Sequence, residues 1–401
     1  DGDIRLALAG GDPALGSQGY TLNIIRHVII TANTAHGLFY GLQTVRQLLQ
    51  QGPALPGGTT RDYPAFAQRS LMLDLARKYW SVDYLRNLMR TMARLKLNVL
   101  HLHFNDWNAF RLRSDQYPGL AAELSYSKTD LAELQVAADQ YHITLIPEID
   151  LPAHATAITQ HNPALALKCD CMSRSRWPGG ELGSWTISYA DPAARQWMID
   201  LLHEFVPLFS GPYFHIGCDE VPDGDLPAQC PELVAYARAK GYPYAGDVLI
   251  EWINEANALV KSYGKQAQLW AWWERTPHSL EPDRDIIVNS WVEKQEPDEF
   301  LEAGYQVVCT REDTHYITPA LSLQPDDQYL YEQWNPNAHP DVLGYKICAW
   351  ADEMEGYPDT FFDPLLKNPQ AILAERTWTG IAPEKTLVAF LDLLNTALQE
   401  L

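Results

Sequence analysis

The stretch Phe214-His215-Ile216-Gly217-Cys218-Asp219-Glu220 closes an apolar run with two adjacent carboxylates and sets a histidine just upstream of them. Two neighbouring carboxylates repel each other. Burial adds to the repulsion, so one of the pair is pushed toward its protonated form. A carboxylic acid that keeps its proton near working pH is what general acid catalysis requires. Successive residues of a strand point to opposite faces, so both side chains can enter one pocket only if the strand ends or bulges there. Gly217 makes such a break feasible.

Other residues able to do chemistry stand at or just past the ends of further apolar runs. They are Asp74 and Arg77; His101, His103 and Asp106; Glu148, Asp150 and His154; Trp272, Trp291 and Tyr316; and Trp350 with Asp352. Singly, each has an ordinary explanation. A tryptophan at a strand end packs into a core and an aspartate there caps a helix, while Asp74 and Asp150 can as readily hold loop backbone as touch a ligand. Because His101 and His103 alternate with apolar residues, one at most is expected to face an interior, the other being structural. Together the set suggests a ligand. Aromatic faces suit the C–H side of a sugar ring, and Asp, Glu and Arg reach its hydroxyls. Carboxylates are also the usual acid, base or nucleophile of glycoside hydrolysis.

The elements that must position these residues read as alternating strands and helices from about residue 69 onward. Apolar runs at 71–76, 97–104, 143–150, 213–217, 266–272, 285–291, 305–310 and 344–350 are the strands, and their near-continuous hydrophobicity suits parallel strands buried on both faces. Ser81 caps a helix with Val82, Leu85, Leu88, Met89, Met92 and Leu95 on one face. Asp191-Pro192 starts another, and one opening at Pro231 stops before Gly241. The C-terminal run 384–398 is expected to supply the helix after the eighth strand. The expectation is a (β/α)8 barrel with its site at the C-terminal strand ends. Before it, residues 1–50 read as two short strands and a helix, the remains of a truncated small α/β domain. A Pro/Gly-rich connector over 52–64 follows, so that the small domain and linker occupy 1–62 and the barrel 63–401.

Composition narrows the function classes. With 46% hydrophobic residues and 13 tryptophans, the 401-residue chain can bury a large core. A formal charge of −21 excludes nucleic acid and anionic membrane surfaces as natural partners. No apolar run nears the roughly 18 residues of a membrane span. No signal peptide opens the chain at Asp1, which fits a processed or trimmed protein and leaves the compartment open. Six cysteines do not make a disulfide scaffold, and the Cys169/Cys171 pair lacks the spacing of a zinc site. No metal or cofactor is expected.

Six motifs, "LMLDLARKYWS", "KLNVLHLHFND", "LIPEIDLPAHATA", "FHIGCDEV", "GYKICAWADE" and "AERTW", occur in that order and span nearly all of 69–378. On these the chain resembles the glycoside hydrolase family 20 β-N-acetylhexosaminidases, among them hydrolases of biofilm poly-N-acetylglucosamine. The segment "GYTLNI…ITA…HGLFYGLQTVRQLLQ" is similar to the small domain that precedes the barrel in that family.

The resemblance implies an exo-acting, retaining hydrolase of terminal β-linked GlcNAc or GalNAc in an amino-sugar oligosaccharide or glycoconjugate. Glu220 would be the general acid and Asp219 would hold the 2-acetamido N–H, so that the acetamido oxygen attacks the anomeric carbon and gives an oxazolinium. Arg77 would bind O3 and O4, and Asp106 and His154 would support the acid. Trp272, Trp291 and Trp350 would wall the pocket, Tyr316 would bond the acetamido oxygen, and Arg69 would be structural. Three positions depart from the family pattern: Cys218 in place of glycine, Thr318 in place of an acidic or amide residue, and Asp352 in place of glutamate. These departures keep open release of a disaccharide such as lacto-N-biose, or of 6-substituted GlcNAc. A non-catalytic sugar-binding barrel is the reading from another class.

Overall fold

The computed structural model of the chain describes residues 3–52, 54–169, 184–292 and 297–398. Its first unit is a four-stranded sheet built from β1 (Ile4–Leu8), β2 (Tyr20–Ile24), β3 (Val28–Ala32) and, after helix α1 (Ala35–Gln50), β4 (Gly58–Asp62). The spatial order is β1-β3-β2-β4, with β1 parallel to β3 and the other pairs antiparallel. Alternation puts Tyr20, Leu22, Val28, Ile30 and Ala32 on the face that packs with Tyr40 and Val45 of α1. The sequence reading missed two edge strands. Both β1 and β4 are exposed along almost their whole length, so neither carries an inside–outside alternation, and β4 lies within the stretch read as connector.

The second unit is a closed parallel barrel. In chain order it comprises β5 (Gln68–Asp74), α2 (Val82–Arg94), β6 (Val99–His103), α3 (Lys128–Gln140), β7 (Thr144–Glu148), α4 (Thr156–His161), α5 (Pro192–Phe205), β8 (Tyr213–His215), α6 (Leu226–Gln229), α7 (Pro231–Lys240), α8 (Asp247–Ser262), β9 (Gln266–Trp270), β10 (Ile287–Ser290), α9 (Asp298–Glu302), β11 (Gln306–Cys309), α10 (Glu312–His315), β12 (Tyr316–Ile317), β13 (Val342–Ala349), α11 (Asp363–Thr379) and α12 (Leu387–Ala397). Strands β5 to β11 pair in sequence, and β13 closes the ring between β11 and β5. The two-residue β12 is an extra partner of β13.

Local signals act as the sequence suggests. Ser81 Oγ accepts the Tyr84 N–H, Asp191 accepts from Ala193 and Ala194 ahead of Pro192, and Gly241 ends α7 in a left-handed conformation. The first strands are joined by long helices. The later crossovers are reduced to the short turn Trp273–Arg275, the five-residue α9 and the four-residue α10.

Two expectations need correction. The helix that packs on β13 and β5 is α11, whereas α12 at the C-terminus packs against α1 of the small unit. Helix α11 escaped notice because it is buried nearly all round and carries Pro369 inside, so its apolar positions show no single stripe. The second correction concerns the histidines. Both His101 and His103 are fully buried in the barrel lumen. Residues two apart on a strand share a face, so both histidines point inward while Leu100 and Leu102 face the helices. Cys169 is joined by a disulfide to Cys230 at the start of α7, a pairing across 61 residues that spacing alone does not reveal. Cys171 lies outside the described residues.

Arg69 ties the two units together. It is fully buried on β5, and its guanidinium donates to the carbonyls of Phe66 (2.9 Å) and Lys96 (2.8 Å) and to Gln18 Oε1 (2.7 Å) and Tyr40 OH (3.1 Å). Arg69→Met should leave these acceptors unpaired in the interior and lower unfolding stability by about 3 kcal/mol. Urea denaturation checks this, and a loss under about 1 kcal/mol would contradict the role given to Arg69.

Candidate active site

The last residues of four adjacent strands, Asp74, His103, Glu148 and His215, are register partners across β5 to β8. Parallel pairing thus collects polar side chains at one end of the barrel, where the loops carry the remaining candidates.

Strand β8 ends at His215, and the backbone then turns sharply. Gly217 (φ +70°), Cys218 (φ +81°) and Glu220 (φ +48°) all adopt left-handed conformations. This resolves the geometric problem of adjacent carboxylates, because beyond the strand end Asp219 and Glu220 both approach His154. A Cβ on Gly217 would lie 1.7 Å from Asp150 Oδ1, so only glycine fits. The same Asp150 oxygen accepts the Cys218 N–H at 3.1 Å and fixes the turn.

His154 Nε2 stands 3.4 Å from Asp219 Oδ2, 3.5 Å from Glu220 Oε2 and 3.8 Å from Asp150 Oδ2. Its Nδ1 is 2.9 Å from Asp106 Oδ2. Burial opposes a charge on His154, but Asp106, Asp150 and Asp219 outweigh it and hold the imidazole protonated well above its usual range. Burial, reinforced by Asp219 and opposed by His154 and Arg77, pushes Glu220 up to about 7. Burial and the nearby Asp219 raise Asp150 well above the ordinary carboxylate range. Asp219 is nine-tenths buried, with Oδ1 unpartnered and shielded from solvent.

Arg77 occupies the other side. It donates to Asp74 Oδ2 at 3.0 Å, contacts Asp106 Oδ2 at 2.9 Å and Asp352 Oδ1 at 3.3 Å, and lies 5.3 Å from the Trp350 ring centre. Asp74 does what a loop anchor would: its carboxylate also accepts the N–H groups of Ala76, Arg77 and Ala351.

The later strands supply an aromatic wall. Trp272 stacks with Trp291 at 5.7 Å and 9°, Trp291 with Tyr316 at 6.3 Å and 5°, and Tyr316 meets Trp350 at 5.9 Å. Two indoles are locked, Trp272 by the Val221 carbonyl and Trp291 by that of Ala271. Burial pushes Tyr316 well above the ordinary phenol range, leaving it an O–H donor. Thr318 is buried with an unpartnered hydroxyl.

The ten residues to which the sequence reading gave catalytic or substrate-binding roles therefore lie around one barrel mouth, while His101 and His103 are buried deeper in the lumen. Two neighbours were not singled out. Trp270 donates to Glu148 Oε1 at 2.6 Å, and Trp185 packs on His154 at 4.4 Å and donates to the Glu220 carbonyl. Trp270 was within reach of inspection, since it lies two residues before Trp272 on an inward-facing strand position. Trp185 follows a Gly-Ser pair with no periodic signal around it.

The clusters His101–Glu148–His215 and His103–Asp106–His154 are close enough in distance to hold a cation. Their chemistry is better satisfied by protons: Trp270 and His103 already face Glu148, Arg77 and both histidines face Asp106, and Lys346 Nζ lies 2.8 Å from His101.

A parallel barrel whose mouth combines a carboxylate pair, a histidine and stacked tryptophans defines a sugar-processing class of site. Residues 66–381 match the catalytic domain of glycosyl hydrolase family 20 and residues 1–63 match domain 2 of that family, so the chain belongs to family 20. It is 29% identical to a beta-hexosaminidase of Porphyromonas gingivalis, over 96% of this chain and 53% of that protein. It is 28% identical to a beta-N-acetylhexosaminidase of Cellulomonas fimi, over 94% of this chain and 77% of that one. The chain thus spans about half the length of the Porphyromonas relative. The Streptomyces plicatus N-acetyl-beta-hexosaminidase in complex with Thio-NAglucal superposes with a TM-score of 0.78 at 26% identity, covering 98% of this chain and 82% of that one.

If the left-handed turn is what brings both carboxylates to His154, then Gly217→Ala should displace the turn even where the protein folds. A fall in kcat/KM of about a hundredfold or more is expected for a misplacement on the ångström scale. Steady-state kinetics on an aryl N-acetylglucosaminide, with circular dichroism to confirm folding, measure it.

Proposed function

We propose that this chain is an exo-acting, retaining β-N-acetylhexosaminidase that removes terminal β-linked GlcNAc or GalNAc by substrate-assisted catalysis. The observation that carries the reading is the convergence of Asp219 and Glu220 on His154 opposite the stacked aromatic wall. Membership of family 20 and the hexosaminidase names of the relatives support it.

In the first step the substrate's acetamido oxygen attacks C1 while the bond from C1 to the leaving oxygen breaks. Glu220 gives that oxygen its proton. Asp219 accepts the acetamido N–H and stabilises the positive charge that spreads onto the group, and the Tyr316 hydroxyl donates to the acetamido oxygen. The product of this step is a bicyclic oxazolinium. In the second step Glu220, now a carboxylate, takes a proton from water as the water oxygen attacks C1, and the acetamide is regenerated with net retention. An intramolecular nucleophile removes the need for a second attacking carboxylate. Arg77, its charge held by three carboxylates, remains free to offer N–H groups to the sugar's far hydroxyls.

Glu220 must be protonated to act, and burial sets it near 7, so kcat/KM should hold at mildly acidic pH and fall as pH rises through about 7. Glu220→Gln should cost about a thousandfold on substrates with poor leaving groups and far less on 2,4-dinitrophenyl glycosides, which need little protonation. Equal losses on both would remove Glu220 from the acid role. Efficient hydrolysis of plain β-glucosides would exclude the acetamide as nucleophile.

The sugar preference turns on Asp352. Its carboxylate is one methylene shorter than glutamate and is drawn to Arg77 Nε, and Thr318 brings one hydroxyl where family members carry more acceptors. A site with fewer hydroxyl-specific partners discriminates less. The wild type should prefer GlcNAc over GalNAc by less than about a thousandfold, and Asp352→Glu should widen that ratio. A panel of GlcNAc, GalNAc, 6-sulfo-GlcNAc and lacto-N-biose aryl glycosides decides it. A wild-type ratio beyond a thousandfold would show the pocket to be tight, and turnover of lacto-N-bioside alone would point to disaccharide release.

A further inference from the structure

His103 meets the pocket only from behind, edge-on against the Trp350 ring at 5.1 Å, and it sits between two carboxylates. Nδ1 is 2.6 Å from Glu148 Oε2 and Nε2 is 3.0 Å from Asp106 Oδ2. The ring is fully buried. A neutral imidazole has one N–H and would present a lone pair to one of the two anions, so only the imidazolium can donate to both. Glu148 is anchored on its far side by the Trp270 indole at 2.6 Å, with His215 Nδ1 at 3.1 Å and His101 Nε2 at 3.1 Å. Asp106 passes the chain outward to His154, and His154 to Glu220.

We propose that His103 is a positioning residue of this site: as a fixed cation bridging Glu148 and Asp106, it orients the Asp106 oxygen that holds His154 and so sets the proton balance between His154 and Glu220. The proposal rests on the reading of Glu220 as the general acid. The same logic makes Glu148 the inner counter-ion of a relay that begins at the barrel centre and ends at the pocket. Burial opposes the His103 charge, and Glu148, Asp106 and Asp74 outweigh it, in line with the geometry. The groups that face Glu220 are His154, Asp219, Arg77 and Asp106, and His103 stands behind them, in contact with Asp106.

Three measurements test this. The 15N shifts of histidine ring nitrogens in the wild-type protein should identify two imidazoliums, His154 and His103, that keep both protons from about pH 5 to 9, far above the ordinary range. Loss of one of the two signals in His103→Gln assigns it. A wild-type protein with fewer than two imidazolium rings among its buried histidines at pH 7 overturns the proposal, whether or not the variant folds.

In His103→Gln a positive charge leaves the surroundings of Glu220, so the alkaline limb of kcat/KM should move up by about half a pH unit. kcat should fall about thirtyfold with a poor leaving group and only a few-fold with 2,4-dinitrophenol, at little change in KM. The double variant His103→Gln/Glu148→Gln, in which two amides can pair and no bare buried carboxylate is left, should recover about threefold or more of that loss. Equal losses on both leaving groups with an unshifted limb, or a double variant as poor as the product of its single losses, would make His103 a packing residue and overturn the idea. Wild-type turnover and the leaving-group response of Glu220→Gln test the underlying function separately, so failure of one reading is not confused with failure of the other.

Discussion

One oxygen atom organises the mouth of this barrel. Asp106 Oδ2 stands 2.9 Å from Arg77 Nη2, 2.9 Å from His154 Nδ1 and 3.0 Å from His103 Nε2, with no solvent to share the task. Burying a carboxylate costs several kcal/mol unless charged donors replace its water, and here three do. Burial pushes the Asp106 carboxyl up, but Arg77 and His154 hold it far below the usual range. Because the three donors come from the ends of β5, β6 and β7, the anion also fixes how those loops sit. The side of the site that would hold sugar hydroxyls and the side that would move a proton are built on the same negative charge. A change in either is felt by the other.

That constraint reaches into the lumen. Barrel interiors are generally filled by layers of bulky apolar side chains. This one instead holds Glu148 among three histidines and an indole, with Lys346 bonded to Asn289 and close to His101. Burial draws the Lys346 ammonium down to about 8. A buried polar network is stable only when its members are matched, and matched members leave one arrangement available. The division of labour follows chain order. Strands β5 to β8, with long helical crossovers, carry most of the charged residues, Lys346 and Asp352 at β13 being the exceptions. Strands β9 to β13, with short crossovers, carry the tryptophans that stack as a wall. Most of the charges are thus gathered on the half of the barrel that includes the long crossover helices α2, α3, α5 and α8.

Much of this was legible in the sequence because strand ends are where parallel barrels expose chemistry, and the strands announce themselves as unbroken apolar runs. Arg77, Asp106, His154 and the tryptophans stood out on that basis. What escaped did so for physical reasons. Edge strand β4 buries neither face and carries no alternating apolar residues, and β1, where Ile4, Leu6 and Leu8 alternate, is only five residues long and exposed throughout. Helix α11 is buried nearly all round from Pro369 to Trp378, which erases the amphipathic stripe that made α12 easy to see. The pairing of His101 with His103 follows from strand periodicity alone, but the partner that makes it meaningful, Glu148, lies 45 residues beyond His103. Contacts across strands are set by register, and register is a property of the closed barrel rather than of any one segment.

The left-handed residues draw these threads together. Among the described residues seven that are not glycine have positive φ, and four of them, His154, Cys218, Glu220 and Glu353, flank the pocket. Such conformations cost on the order of 1–2 kcal/mol each and persist only where the surroundings impose them. Here the surroundings are identifiable. Asp150 clamps the Cys218 N–H, the Cys218 thiol donates to the Leu151 carbonyl at 3.2 Å, and Asp106 clamps His154. Cysteine at 218 is tolerable for that reason: the thiol gains a partner that a glycine would not have, which offsets part of the backbone strain. The turn that aims two carboxylates at one histidine is therefore held by the same buried acids that tune them, and neither the geometry nor the electrostatics of the pair would survive without the other.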